Sequence, residues 1–172
     1  AKAWHDDAAG NEGVKRGWAD PATPDGFWPV MKMPQHWERT GLHVDGSVWF
    51  RRSFDVPADW AGKTLTLSIG QVDDYDVTYF NGQPVGQTDK TNPLAVFVDR
   101  KYTVPAALVK GGGKATVAVR IFDRGGPGGM FSPDDNVYVE VQGEPSTRIP
   151  LAGDWRWRLE TPLAPYLEPR PV

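Results

Sequence analysis

The residues with most chemical potential lie in LSIGQVDDYDVTYFNGQPVG, Leu67 to Gly86, where Asp73, Asp74 and Asp76 fall between two alternating runs. Three readings of this acidic knot stand open. A glycosidase-type pair needs two carboxyls about 5 to 9 Å apart, one of them with a raised pKa. Asp73 and Asp74, as neighbours, are expected on opposite sides of an extended chain, and Asp76 on the strand face of Thr78. A hard cation takes oxygen ligands, which the knot supplies, although the spacing is not that of an EF-hand loop. A structural calcium is therefore an option, and no other cofactor is expected. In the third reading the acids cap backbone amides in a solvated turn.

Other chemistries find less material. His5, His36 and His43 all fall in the first quarter of the chain, and no G-x-S-x-G elbow exists for a serine nucleophile. GGPGG, Gly125 to Gly129, lacks the Lys-Ser/Thr and the helix of a phosphate loop; it suits close approach of the backbone to a ligand or a neighbouring domain. The absence of cysteine excludes disulfides, thiol catalysis and cysteine-based zinc sites. A net charge of −3 gives no footprint for nucleic acid, and no run approaches the ~20 apolar residues of a membrane span. Neither partner is expected. Core packing is the default for the eight tryptophans, yet a loop tryptophan offers a platform for the C–H face of a sugar ring. The opening AKAWHDDAAG, without an initiator Met, is that of a processed or excised piece.

The elements that must position these residues are strands. Glycine (19) and proline (16) are abundant enough to favour many tight corners. VWFRRSFDV sets Val48, Phe50, Phe54 and Val56 on one side; TLTLSIG sets Leu65, Leu67 and Ile69; YDVTYF sets Tyr75, Val77 and Tyr79 toward the core. KATVAVRIF and NVYVEV alternate likewise, a period-2 pattern that predicts an all-β, antiparallel β-sandwich. Asn81-Gly82 predicts a type I′ hairpin, and Pro105 to Lys110 about one helical turn. RR at Arg51 and Arg52 and WRWR at Trp155 to Arg158 read as strand residues facing water. Residues 1–40 read as an irregular, aromatic-rich lead-in packed on the sandwich, 41–160 as the sandwich, and 161–172 as a proline-rich linker. Successive loops of such a sandwich alternate between its ends, so the knot, DKTNPLAVF, HVDGS and DRGGPGGMFSPDD share one end. Any site belongs there.

MPQHWE, the run from DGSVWFRRSFDV to FNGQPVGQT, YTVPAALVKGGGKATVAVRIFD and GGPGG together resemble the β-sandwich domain inserted in sialate O-acetylesterase-like carbohydrate esterases. VPADW and NG..VG also occur in the galactose-binding-like domains of family 2 glycoside hydrolases. The resemblance implies a galactose-binding-like jelly roll, related to carbohydrate-binding modules, beside an SGNH-type host domain that carries the serine, aspartate and histidine. This chain would then be a non-catalytic part of a periplasmic or secreted esterase. Its glycan would be an acetylated plant polysaccharide or a sialoglycan. The likeness to the family 2 glycosidases implies that Asp73 and Asp123 or Arg124 face the substrate pocket. Asp73 and Asp74 would accept sugar hydroxyls, Arg124 would donate, and Trp28, Trp37 or Phe131 would stack a ring. The alternatives are a structural spacer without sugar affinity and the N-terminal-type sandwich of a family 2 glycoside hydrolase.

Overall fold

The computed structural model describes residues 11–160, so the proline-rich 161–172 and His5 lie outside the described residues. Three antiparallel sheets form the body. The largest runs β1 (Val30–Met33), β13 (Gly153–Leu159), β3 (Gly46–Asp55), β9 (Lys114–Asp123), β6 (Tyr75–Phe80) and β7 (Gln83–Thr88). The second runs β12 (Ile149–Pro150), β11 (Val137–Val141), β4 (Leu65–Gly70) and β8 (Arg100–Val104). A small third sheet joins β2 (Gln35–His36), β10 (Gly129–Met130) and β5 (Val72–Asp73). The expected antiparallel β-sandwich is what the chain forms. Among the described residues no helix is long and apolar enough to cross a membrane.

The main core lies between the two larger sheets. Val48, Phe50, Val117, Val119, Ile121 and Trp155 from one meet Leu65, Leu67, Ile69, Val104, Val137 and Val139 from the other. Alternation explains this set, because every second residue of a strand points to one face. The Asn81-Gly82 hairpin has φ of 48° and 84°, the positive values a type I′ turn needs. The helical turn expected after Pro105 is a 3-10 turn at Ala106–Leu108.

Three expectations about faces are corrected. On β6 it is Asp76, Thr78 and Phe80 that are fully buried toward the core, while Val77 and Tyr79 are half-buried on the other face. The charge is tolerated because it is matched. Arg100 Nε donates to Asp76 Oδ1 at 2.9 Å, and Thr78 Oγ1 and the Tyr102 hydroxyl donate to Oδ2 at 2.8 and 2.9 Å. Burial pushes the Asp76 carboxyl up and these donors pull it down.

Second, Arg51 does not face water. Residues 11–29, opening with the short helix α1 (Glu12–Lys15), run as a strap over the outer face of the six-stranded sheet. Arg51 is buried beneath it, donating to the carbonyls of Trp18, Asp20 and Thr23 at 2.5, 2.9 and 3.2 Å and to Asp25 Oδ2 at 2.9 Å. Third, Trp155 of the WRWR run is buried in the main core.

The strap builds a second core from Trp18, Ala19, Trp28, Trp49 and Ala118. Trp18 meets Trp28 edge-on at 5.3 Å and Trp49 at 6.1 Å. Gly13 allows no side chain, since a Cβ there would lie 2.2 Å from Trp49 Nε1. Its N–H donates to Glu160 Oε1 at 2.7 Å, while Arg120 Nε donates to Glu160 Oε2 at 2.8 Å. The strap is thus pinned to the far end of the described chain. The 30s, expected as irregular, contribute β1 and β2 to two sheets.

Candidate functional site

The loops divide between the two ends of the sandwich as strand parity predicts. At one end, Asn81 Nδ2 donates to Leu108 O at 3.1 Å and Val56 N–H to Gly113 O at 2.8 Å, which is ordinary turn chemistry. At the other, Asp123 closes β9 opposite Gly46, Tyr75 pairs with Phe122, and Gly129 bridges Asp73 and His36 in the small sheet. The two-residue strands β5 and β10 are what carry Asp73 and the glycine loop to this point.

Asp73, Asp74 and Asp123 meet here, each with a carboxylate oxygen within 4.8 Å of the others. Asp74 falls in the bend between β5 and β6 and not in a continuous strand, so the alternation expected to separate it from Asp73 does not apply. Asp74 is nearly buried and satisfied by Arg124, whose N–H reaches Oδ2 at 2.8 Å and whose Nη2 reaches Oδ1 at 3.2 Å. Arg124 is itself mostly exposed and lies over the Tyr75 ring at 5.3 Å. From below, Arg100 Nη2 donates to Asp74 O at 3.0 Å and also reaches the Ala95 and Val98 carbonyls with Nη1. One guanidinium therefore ties the knot, the 89–98 loop and the Asp76 network together.

Electrostatics at the cluster is one-sided. Burial first, then the charge of Asp74, its hydrogen bond and Glu38, raise Asp73 to about 6 against the pull of Arg124. Burial likewise raises Asp123 to about 8. A hydrogen bond from Gly125 opposes this, while the charges of Asp45, Asp74 and Asp73 add to it. Two raised carboxyls side by side can share a proton or a cation, or accept hydroxyl donors.

The other expected contacts separate. Trp28 lies in the strap core and Trp37 in the main core, stacked on Phe50 at 6.2 Å, so both lack a face for a sugar ring. Their apolar area is worth more against the sheet than on a loop. Trp37 also lies tight under the glycine loop, where a Cβ on Gly128 would come within 2.2 Å of its ring. Phe131 is half-buried with one face already stacked on His36 at 4.9 Å. The sequence reading missed Glu38, which accepts the Gly128 N–H at 3.1 Å through Oε2, and the exposed Leu94 and Phe97. Phe97 sits beside the site because its carbonyl accepts Gln71 Nε2 at 3.2 Å. A charged residue inside the MPQHWE run was the only hint of Glu38.

No family model matches the chain, and no curated protein matches it. Among solved structures, a glycosyl hydrolase family 2 member from Bacteroides cellulosilyticus DSM 14838 shares 18% identity over 64% of this chain and 17% of its own, with a TM-score of 0.54. A β-glucuronidase from Ruminococcus gnavus shares 23% identity over 64% of this chain and 19% of its own, with a TM-score of 0.49. The chain thus spans under a fifth of either structure. The likeness to the family 2 member, with no family model or curated protein behind the esterase reading, overturns the expectation of a sialate O-acetylesterase insert. At such identity the likeness is one of fold.

Proposed function

We propose that this chain is a non-catalytic β-sandwich of a larger glycosyl hydrolase-type enzyme, with its acidic end presented to a neutral glycan. The observation that carries this reading is the convergence of Asp73, Asp74 and Asp123 at one end of the fold, while among the described residues no such acidic group forms at the other. The fold likeness to the family 2 member supports the setting. Carboxylates accept from sugar hydroxyls, and hydrogen bonds to a charged partner are worth about 1.5–3 kcal/mol each. Arg124 offers the donor at the rim. Among the described residues, a uronate would meet Asp73, Asp74, Asp123, Asp45 and Glu38 against Arg124 at the rim, so neutral hexose or pentose units fit better.

Calorimetric titration with neutral and uronate-containing oligosaccharides tests this. We expect binding of the neutral set and a loss of about tenfold or more in Asp73→Asn. Tighter binding of uronates, or neutral binding indifferent to Asp73→Asn, contradicts it. A second reading, a docking module without sugar affinity, is favoured by Leu94 and Phe97, 62% and 73% exposed beside the site. No heat with any glycan would select it.

A further inference from the structure

We propose that the acidic end holds a calcium-sized divalent cation, bound by Asp73, Asp74 and Asp123. The cluster alone does not carry this inference; two buried oxygens without donors point to it, one on Asp123 within the cluster and one on Glu38. Asp123 is fully buried, and its Oδ1 accepts the Gly125 N–H at 2.9 Å while its Oδ2 is buried without any donor. Glu38, whose charge acts on Asp73, carries a second buried oxygen without a donor, Oε1. A buried carboxylate oxygen without a partner is costly, and such oxygens are ordinarily paired or coordinate a metal.

Three carboxylate oxygens within 4.8 Å of one another leave room for a calcium ion, which binds oxygens at about 2.3–2.6 Å. Calcium is preferred to magnesium because it accepts irregular, flexible oxygen shells, whereas magnesium demands near-ideal octahedral geometry and dehydrates reluctantly. The donor set is all oxygen, which suits a hard cation, and among the described residues no histidine joins it. Charge agrees as well: five carboxylates act on this spot, and among the described residues Arg124 is the cation that pairs with them at its rim. Calcium takes six to eight oxygens, so three carboxylates leave positions for water or for glycan hydroxyls. The inference does not depend on the glycan reading.

The test melts the full chain in EDTA, then with excess calcium or magnesium, without glycan. Calcium at about a hundredfold over its Kd is expected to raise the melting temperature by about 5–10 °C, and magnesium by less. Terbium luminescence excited through tyrosine, with Tyr75 beside the site, should appear and be competed away by calcium. Asp123→Asn and Asp73→Asn should each abolish the calcium shift, and Asp123→Asn should melt higher than the parent in EDTA. Equal melting in EDTA, calcium and magnesium overturns the proposal. So does a calcium shift that survives in both variants.

Discussion

Asp123 sits where a charge is hard to keep. In the unfolded chain its carboxyl titrates near the ordinary value of about 3.9, whereas in the fold burial and the neighbouring acids hold it up to about 8. Between those values the native state binds more protons than the unfolded state, so stability falls as pH rises and levels off above about 8. Asp73 adds to the slope up to about 6. In chelator, the parent is expected to melt lower at about pH 8 than at about pH 5, with Asp123→Asn much flatter across the same window. Identical profiles for the two proteins would refute this. The acids themselves were legible as residues, since Asp73, Asp74 and Asp123 stand out in any reading of the loops. Glu38 was not: two-residue strands bring it to the site, and strands that short leave no period to read.

Among the elements, the strands from Gly46 onward announce themselves through alternation, but alternation does not say which face is covered. β6 is the instructive case. Tyr75, Val77 and Tyr79 are the apolar set, yet Asp76, Thr78 and Phe80 face the core because Arg100 and Tyr102 on β8 complete a buried network. The strap is a second case, since its coverage of Trp49 and Arg51 follows from contacts across the chain that no local pattern encodes. Arg51→Ala leaves the Trp18, Asp20 and Thr23 carbonyls without their donor and strands Asp25. Breaking a buried ionic network costs about 3–5 kcal/mol. We expect a loss of that order in urea unfolding, with early proteolysis within residues 11–29. Arg51→Lys should recover little, because an ammonium cannot reproduce the guanidinium fork. Unchanged protease resistance in Arg51→Ala would show that Trp18 and Trp28 hold the strap without it.

At the scale of the molecule, loop parity made the chemical polarity of the sandwich legible: acids gather at one end, turns at the other. That the aromatic lead-in packs on the body was an expectation of the sequence; that residues 11–29 cover the six-stranded sheet around Trp49 and Arg51 was not legible. The pinning of Gly13 to Glu160 bears on how the molecule answers a pull. Tension arriving along the backbone at these two residues acts on adjacent points. It therefore opens contacts in sequence, first that hydrogen bond, then the strap, then β13 from β3 starting at Leu159 and Val48. Ladders peeled this way yield one rung at a time, whereas ladders dragged lengthwise resist with all rungs together. Pulled at residues 13 and 160, the sandwich should unzip at low force and act as a mechanical fuse, which single-molecule pulling would register as a low, stepwise rupture.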